Sequence, residues 1–176
     1  YGIGAVEVAQ ALKELNVEHL GVALVEEAVQ LRNSGVSKSE ILIFGSLDEK
    51  SIDIILKNNL TPVVSNWEQL KLLEEHLSGP IDIHLKFNSG MGRLGFPQNE
   101  AESLRVFISN SKNIKLKGIC THLAKGDDIC EKNSTAVQQL ESFLKAMIVF
   151  SDDIQRHALN SDALLLVGEK QFESIG

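Results

Sequence analysis

The sequence predicts an α/β barrel of eight parallel strands that is truncated at both ends. Seven strand-like runs alternate with helices, mostly at spacings of about 20 residues, and this alternation is typical of repeated βαβ units in a parallel sheet. A first strand upstream of residue 1 would make eight, which favours a closed barrel over an open doubly wound sheet. The dinucleotide-binding pattern GxGxxG does not follow the first strand, and its absence there weakens the open alternative. The predicted chain therefore lacks the first strand and the last helix of its barrel.

The helices and strands are predicted from apolar spacing and from the residues at their ends. Val6, Ala9, Leu12 and Leu15 keep helical spacing in the first helix, and Gly35 is a usual C-terminal stop for the second. The predicted helices cover residues 5–15, 25–35, 47–58, 66–79, 99–111 and 134–149. Short apolar runs predict strands at residues 19–24, 41–45, 61–65, 81–88, 114–124, 156–161 and 172–176. No linker or repeat interrupts them, so residues 1–176 are predicted to form a single domain.

The strand at residues 81–88 has one apolar and one polar face. Asp82, His84 and Lys86 alternate with apolar residues, and successive strand side chains point to opposite faces. In a parallel barrel both faces are buried, so these three groups are expected inside the lumen. Lys86 would then lie nearest the carboxyl end, where barrel active sites form, and a glycine-rich loop carrying Arg93 follows. A structural polar cluster would also fit, but three ionisable groups on one face favour a site.

Polar groups also stand where other strands are predicted to end. The run at 114–124 carries Thr121 and His122, and the run at 156–161 ends in Asn160 and Ser161. Tyr1 sits in a glycine-flanked turn directly before a helix N-terminus, where the backbone N–H groups suit a phosphate. Each group alone is more often a hydrogen-bonded structural residue, but several strand ends carrying them together indicate a site.

Composition and motif spacing exclude several other functions. The net charge of −7, without a basic stripe, argues against nucleic-acid binding, and the apolar runs are too short to span a membrane. No secretory leader opens the sequence, so Cys120 and Cys130 are expected to be reduced thiols in a cytoplasmic protein. Metal-ligand spacing and the hydrolase pattern GxSxG are both absent, so neither a metal site nor a serine hydrolase is predicted.

Five ordered segments resemble the barrel domain of the fold-type III, pyridoxal-phosphate-dependent alanine racemases. YGIGAVEVAQAL is similar to the family segment Y-G-H-G followed by A, and GVALVEEAVQLRNSG to G-V-A-x-x-E-E-A-x-x-L-R. HLKFNSGMGRLGF is similar to H-x-K-x-D-T-G-M-x-R-x-G, THLAKGDD to T-H-F-A-x-A-D, and HALNSDA to H-x-x-N-S-A. The matches span nearly the whole chain.

The resemblance implies a role for individual residues. Tyr1 and Ser161 would contact the phosphate of pyridoxal 5′-phosphate, with Asn160 beside them, and His122 would lie against the pyridine ring. Arg93 would hydrogen-bond the phenolic oxygen of the cofactor and help to position the substrate carboxylate. Lys86 is carbamylated in many family members, and such an anion would orient the Arg93 guanidinium.

The resemblance also implies the activity. It predicts exchange of the Cα proton between L-alanine and D-alanine for peptidoglycan synthesis, by a cytoplasmic homodimer with the cofactor as electron sink. Two bases would move the proton: a lysine four positions before Tyr1, and a tyrosine from the partner subunit's C-terminal β-domain. Neither is in these 176 residues, and the arginine expected just after SIG is absent too, so this chain alone is predicted to be inactive.

The chain departs from the family pattern at several positions. Ile3 stands where the family has His, Asn88 and Ser89 where it has Asp-Thr, Leu123 where it has Phe, and Asp162 where it has Ala. These differences leave two alternatives open. One is a racemase of serine or of broader amino-acid specificity, and the other is a cofactor-binding barrel without racemase activity.

Overall fold

A curled, six-stranded parallel sheet forms the centre of the molecule. The structure is a computed structural model that describes residues 2–167. The strands are β1 (His19–Val22), β2 (Glu40–Ile43), β3 (Thr61–Val64), β4 (Ile81–Lys86), β5 (Ile114–Cys120) and β6 (Gln155–His157). They lie side by side in chain order, and every neighbouring pair is parallel. The predicted parallel α/β architecture is confirmed for these six strands, while the predicted strand at 172–176 lies outside the described residues.

Helices connect the strands and pack on the outer face of the sheet. They are α1 (Ala5–Glu14), α2 (Val25–Asn33), α3 (Glu49–Lys57), α4 (Trp67–His76), α5 (Ala101–Asn110), α6 (Thr135–Met147) and α7 (Ser161–Leu166). Alternate strand residues such as Ile41, Ile43 and Ile83 are fully buried against apolar helix residues such as Ile55 and Leu70. This layer is the main core, and its burial is the dominant favourable contribution to folding.

The sheet curls enough for its first and sixth strands to touch. Gln155 Nε2 of β6 lies 3.1 Å from His19 Nε2 of β1, although four strands separate them in the sheet. Contact between such distant strands requires a half-barrel with an enclosed inner face. Leu42, Val63 and Cys120 form a small apolar cluster on that face. The observed shape is a half-barrel of six strands.

Space at Gly118 allows a histidine to occupy the inside of the curl. A Cβ at Gly118 would stand 2.2–2.6 Å from three atoms of the His84 imidazole, which is 0% exposed. The pairing of β4 with β5 shifts register between Ile83 and His84, at the same level. Asp82 is exposed near the start of β4, so its predicted burial inside the barrel is wrong. Alternation fixes the face of a strand residue but not its depth.

Arg32 fastens the turns at the edge of the sheet where the strands begin. Its guanidinium donates to the carbonyl oxygens of Val36 and Ser39 at 2.8 Å each. It also donates to those of Asn58 at 3.0 Å and Asn59 at 2.8 Å. One side chain on α2 therefore holds both the turn before β2 and the turn before β3.

Replacing Gly118 by alanine is expected to destabilise the fold. The added methyl group overlaps the fully buried His84 imidazole, so the free energy of unfolding should fall by about 1–3 kcal/mol. Urea unfolding followed by circular dichroism measures this change. Gly79→Ala is the matched control, because a Cβ there has no atom within 4 Å, and its effect should stay within about 0.5 kcal/mol. Equal stability of the two variants would contradict the close packing of His84.

Candidate active site

Three of the predicted site residues line one cavity at the carboxyl ends of β4 and β5. Lys86 is the last residue of β4, Arg93 lies in the glycine-rich loop after it, and His122 follows the end of β5. All three border one narrow cavity, together with residues of the two loops. Parallel strands present their carboxyl ends at the same edge of a sheet, so residues distant in sequence meet there.

The glycine-rich loop is closed at its base and capped from within. Asn88 N donates to Phe96 O at 2.9 Å, and Phe96 N donates to Lys86 O at 2.8 Å. The Asn88 side chain accepts hydrogen bonds from Gly90 N at 3.2 Å and Gly92 N at 2.9 Å. At Gly95 φ is 122°, and a Cβ would stand 2.6 Å from backbone atoms of residues 87 and 88, so only glycine fits. These constraints hold the loop that carries Arg93.

Lys86 is a buried cation that forms no ion pair with any carboxylate of residues 2–167. Its residue is 7% exposed, and its Nζ lies 5.9 Å from the centroid of the Phe44 ring. Burial lowers the pKa of Lys86, and the nearby Arg93 guanidinium lowers it further. Burial also raises the pKa of the adjacent Cys120 thiol to about 12, so this group is neutral at physiological pH. Lys86 is therefore poised to lose its proton more easily than an exposed lysine.

His122 and Arg93 face the cavity from the two loops. Burial lowers the pKa of His122, and the positive charges of Lys86 and Arg93 add to that effect, which favours a neutral imidazole at pH 7. Arg93 is exposed and makes no ion pair or hydrogen bond with any residue of the 2–167 range. Its donors are therefore free to bind an anion.

The residues predicted at the end of a seventh strand instead begin a helix. β6 ends at His157, and Asn160 is the N-cap of α7, where its side chain accepts from Ala163 N at 3.0 Å. Asn160 Nδ2 also donates to Leu123 O at 3.3 Å, which joins it to the loop that carries His122. Ser161 is exposed, and its hydroxyl has no hydrogen bond to the part of the chain described. The prediction of a strand at 158–161 is wrong, because the Asn-Ser pair is a helix start.

Other parts of the predicted site have different outcomes. Tyr1 lies outside the described residues. Among the divergent positions, Ile3 and Asp162 are exposed, Leu123 is buried, and Ser89 Oγ lies 2.7 Å from Thr121 Oγ1.

Residues 2–167 contain no cluster of three His, Cys, Asp or Glu side chains arranged to hold a metal ion. Over the same range, no helix has the length and hydropathy needed to cross a membrane.

A second polar cluster, which sequence reasoning missed, lies on the inner side of the sheet at the edge where β1, β2 and β3 begin. Glu40 Oε1 accepts from Thr61 Oγ1 at 2.8 Å and pairs with Lys117 Nζ at 3.1 Å, while Glu40 Oε2 lies 3.3 Å from His19 Nε2. Burial would raise the pKa of Glu40, but the hydrogen bond from Thr61 and the Lys117 ammonium outweigh burial and lower it. The sequence signal was a charged residue directly before the apolar run at 41–45.

Two imidazoles meet between this cluster and the cavity. His84 Nδ1 lies 2.9 Å from His157 Nε2, so one ring donates a proton and the other accepts it. Burial lowers the pKa of His84 to about 4, the neighbouring His157 contributes, and the Glu40 charge opposes the shift. Burial also lowers the pKa of His157 to about 4. Both rings are therefore neutral at physiological pH.

The histidine pair predicts a loss of stability in mild acid. Folding holds both pKa values at about 4, against an ordinary value of 6.5, so between these limits the unfolded chain binds protons that the folded chain does not. The free energy of unfolding should therefore fall as the pH drops from about 6.5 to about 4. Urea unfolding at a series of pH values measures the slope.

Two variants test whether these rings cause that slope. His157→Gln removes one of the two groups and should make the pH dependence of unfolding shallower. His76→Gln, on α4 away from the cluster, should leave the slope unchanged. A wild-type slope in the His157 variant would show that the buried pair is not responsible.

Comparison with known proteins finds relatives that match most or nearly all of the chain. The model of the family described as "Alanine racemase, N-terminal domain" matches residues 1–175. An alanine racemase of Fusobacterium nucleatum is 38% identical over 146 residues, which are 82% of this chain and 40% of the relative. An alanine racemase of Listeria monocytogenes is 33% identical over 177 residues, covering 99% of this chain and 47% of the relative. The chain spans less than half the length of these relatives.

Solved structures show the same similarity. The crystal structure of alanine racemase from E. faecalis matches with a TM-score of 0.83 and 31% identity, over 92% of this chain and 44% of that one. The alanine racemase of Bacillus anthracis with bound L-Ala-P matches with a TM-score of 0.81 and 26% identity, over 94% of this chain and 44% of that one.

Proposed function

The chain belongs to the alanine racemase N-terminal domain family, and from this premise we propose that it is the cofactor-binding part of a racemase that interconverts L-alanine and D-alanine. The observation that carries the proposal is the meeting of Lys86, Arg93 and His122 around one cavity at the carboxyl edge of the sheet. The residues at that edge form a basic, mostly polar site, which suits a small anionic substrate and an anionic cofactor.

The donor set fits pyridoxal 5′-phosphate. Arg93 has free donors for a phenolic oxygen, and the exposed Ser161 hydroxyl, with Asn160 beside it, is available to a phosphate. Tyr1 is proposed as a further phosphate contact. When bound, the cofactor supplies an electron sink that makes the Cα proton of an amino acid acidic. The neutral His122 would lie against the ring of the cofactor, and its neutrality keeps a further positive charge away from that ring.

Arg93 has a proposed role toward the substrate as well. A planar guanidinium can donate two parallel hydrogen bonds to a carboxylate, which fixes the orientation of the amino acid. The hydrogen bonds of Asn88 and the close packing at Gly95 order the backbone of the loop that carries Arg93, so the loop does not depend on the substrate for its order.

The wider context of the protein is part of the same proposal. Residues 1–176 would form a single domain of an eight-stranded barrel whose remaining strands lie outside the described half-barrel. The full-length protein that would contain this chain, called the parent protein below, would act as a cytoplasmic homodimer in the supply of D-alanine for peptidoglycan. Because both proposed proton-transfer bases lie outside this sequence, the chain on its own is expected to be inactive.

The parent protein with added cofactor should convert L-alanine to D-alanine, as measured by chiral chromatography. Replacing Arg93 by alanine should lower kcat/KM by about 100-fold, the order of loss expected when a contact that positions the substrate is removed. Arg105→Ala is the matched control, because Arg105 is exposed on α5 and pairs with Glu102. An Arg93 variant with the wild-type rate would refute the role of that residue. Cofactor binding without turnover of alanine, or turnover of serine alone, would replace the proposed activity by one of the alternatives.

Lys86 is expected to carry a carbamate. The lowered pKa of Lys86 increases the fraction of neutral amine, whose nitrogen lone pair forms a C–N bond to carbon dioxide and releases one proton to solvent. The product is an anion beside Arg93, which replaces a like-charge contact by an attractive one. A crystal structure of the parent protein should show electron density for three further atoms beyond Nζ. Lys71, exposed on α4, serves as the control and should end at Nζ. A bare ammonium at Lys86 would refute the modification.

A further inference from the structure

We propose that Gln139 is a positioning residue that sets the relative placement of the two loops bearing Arg93 and His122. This inference rests on the proposed function for its catalytic consequence, while its structural part concerns only the two loops. Gln139 lies on α6, and its side chain contacts both loops. It touches neither Arg93 nor Lys86, so its effect on them is transmitted through the backbone.

Gln139 is out of place on the face of the helix that it occupies. The buried residues of α6 are Ala136, Gln139, Leu140, Phe143, Ala146 and Met147. Five of these six are apolar, and Gln139 is 3% exposed. Burying an amide is unfavourable unless its donors and acceptor find partners, so the partners of Gln139 explain why an amide lies there.

The amide contacts the loop after β5 with both of its polar atoms. Gln139 Oε1 accepts from Ala124 N at 2.9 Å, and Gln139 Nε2 lies 3.4 Å from His122 O. These two contacts hold the backbone at His122 and at Ala124, two residues further along the chain. They fix the backbone from which the imidazole extends into the cavity.

The same amide contacts the glycine-rich loop. Gln139 Nε2 lies 3.5 Å from Ser89 Oγ. At Gly90, where φ is 144°, a Cβ would stand 3.1 Å from Gln139 Cγ and 3.4 Å from Gln139 Nε2. The loop therefore rests directly on the glutamine, and its close approach requires glycine at position 90.

A second bridge between the loops shows that their spacing is built into the fold. Ser89 Oγ lies 2.7 Å from Thr121 Oγ1, and Thr121 Oγ1 donates to Phe87 O at 2.9 Å. Ser89 is thus shared between Thr121 and Gln139. Loss of Gln139 would leave the Thr121 bridge in place, but the His122 carbonyl and the Ala124 N–H would lose their partner on α6.

The test compares Gln139→Leu with Gln138→Leu in the parent protein. Gln138 is the neighbouring residue on α6, is exposed, and donates only to Asn133 O at 2.9 Å, so it controls for a leucine on the same helix. Gln139→Leu should weaken the binding of pyridoxal 5′-phosphate by about tenfold, measured from cofactor absorbance, which corresponds to roughly the loss of one or two hydrogen bonds. It should also speed exchange of the Ala124 amide by about tenfold or more, measured by NMR. Gln138→Leu should change both by less than about twofold.

Gln139→Glu keeps the test decisive if the leucine variant does not fold. The carboxylate retains an acceptor for Ala124 N but has no donor for His122 O or Ser89 Oγ. The Ala124 amide should stay protected, the Gly90 and Gly92 amides should exchange about fivefold faster or more, and KM for alanine should rise more than kcat falls. A purely structural role would lower the melting temperature without these loop-specific changes, and that result would overturn the proposal. Wild-type cofactor affinity in Gln139→Leu would overturn it too. If the wild-type protein neither binds the cofactor nor racemises alanine, the proposed function fails, and the amide exchange alone decides the role of Gln139.

Discussion

The central strands of this curled parallel sheet are shielded from water on both faces, and this constraint governs the polar residues buried there. Helices cover the outer face, and the curl encloses the inner face, where β1 and β6 come within contact through His19 and Gln155. A charged or polar side chain on the inner face must therefore find a partner, change its protonation state or bind a ligand. Glu40 takes the first course with Thr61 and Lys117. Burial lowers the pKa values of His84 and His157, so both rings are neutral. Lys86 at the open edge belongs to the proposed ligand site.

Local patterns in the sequence were sufficient to predict the parts of the site that depend on a single segment. Strict alternation in β4 predicted the inner face of His84 and Lys86, and the glycine spacing predicted the loop that carries Arg93. The depth of Asp82 could not be read from alternation, because every second residue of a strand shares a face whether it lies at the end or in the middle. The Asn160-Ser161 pair was misread because a three-residue strand and a helix cap follow each other within six residues.

Contacts that depend on curvature were not predictable from any segment alone. Glu40 and His19 are paired in the register of β1 and β2, whereas Lys117 of β5 reaches Glu40 only because the sheet curls. Gln139 had a weak signal, a single amide on an apolar helix face, but its partners lie in loops 15 and 50 residues away. The family resemblance supplied the residues of the cavity and said nothing of these supports. Divergence at Asn88 and Ser89 has a structural counterpart, since both side chains serve the loop: Asn88 caps it, and Ser89 links it to Thr121 directly after β5.

Arg32 and the cavity residues lie at opposite edges of the sheet, and the two edges are held in different ways. Four backbone carbonyls at the beginnings of β2 and β3 converge on the Arg32 guanidinium, at the edge of the sheet opposite the cavity. The loops at the other edge carry the proposed site residues, and Gln139 and the contact between Ser89 and Thr121 hold them in addition to their own internal bonds. A loop at the cavity edge can therefore be exchanged only together with its partners on the other loop and on α6, while the opposite edge keeps the strands in register.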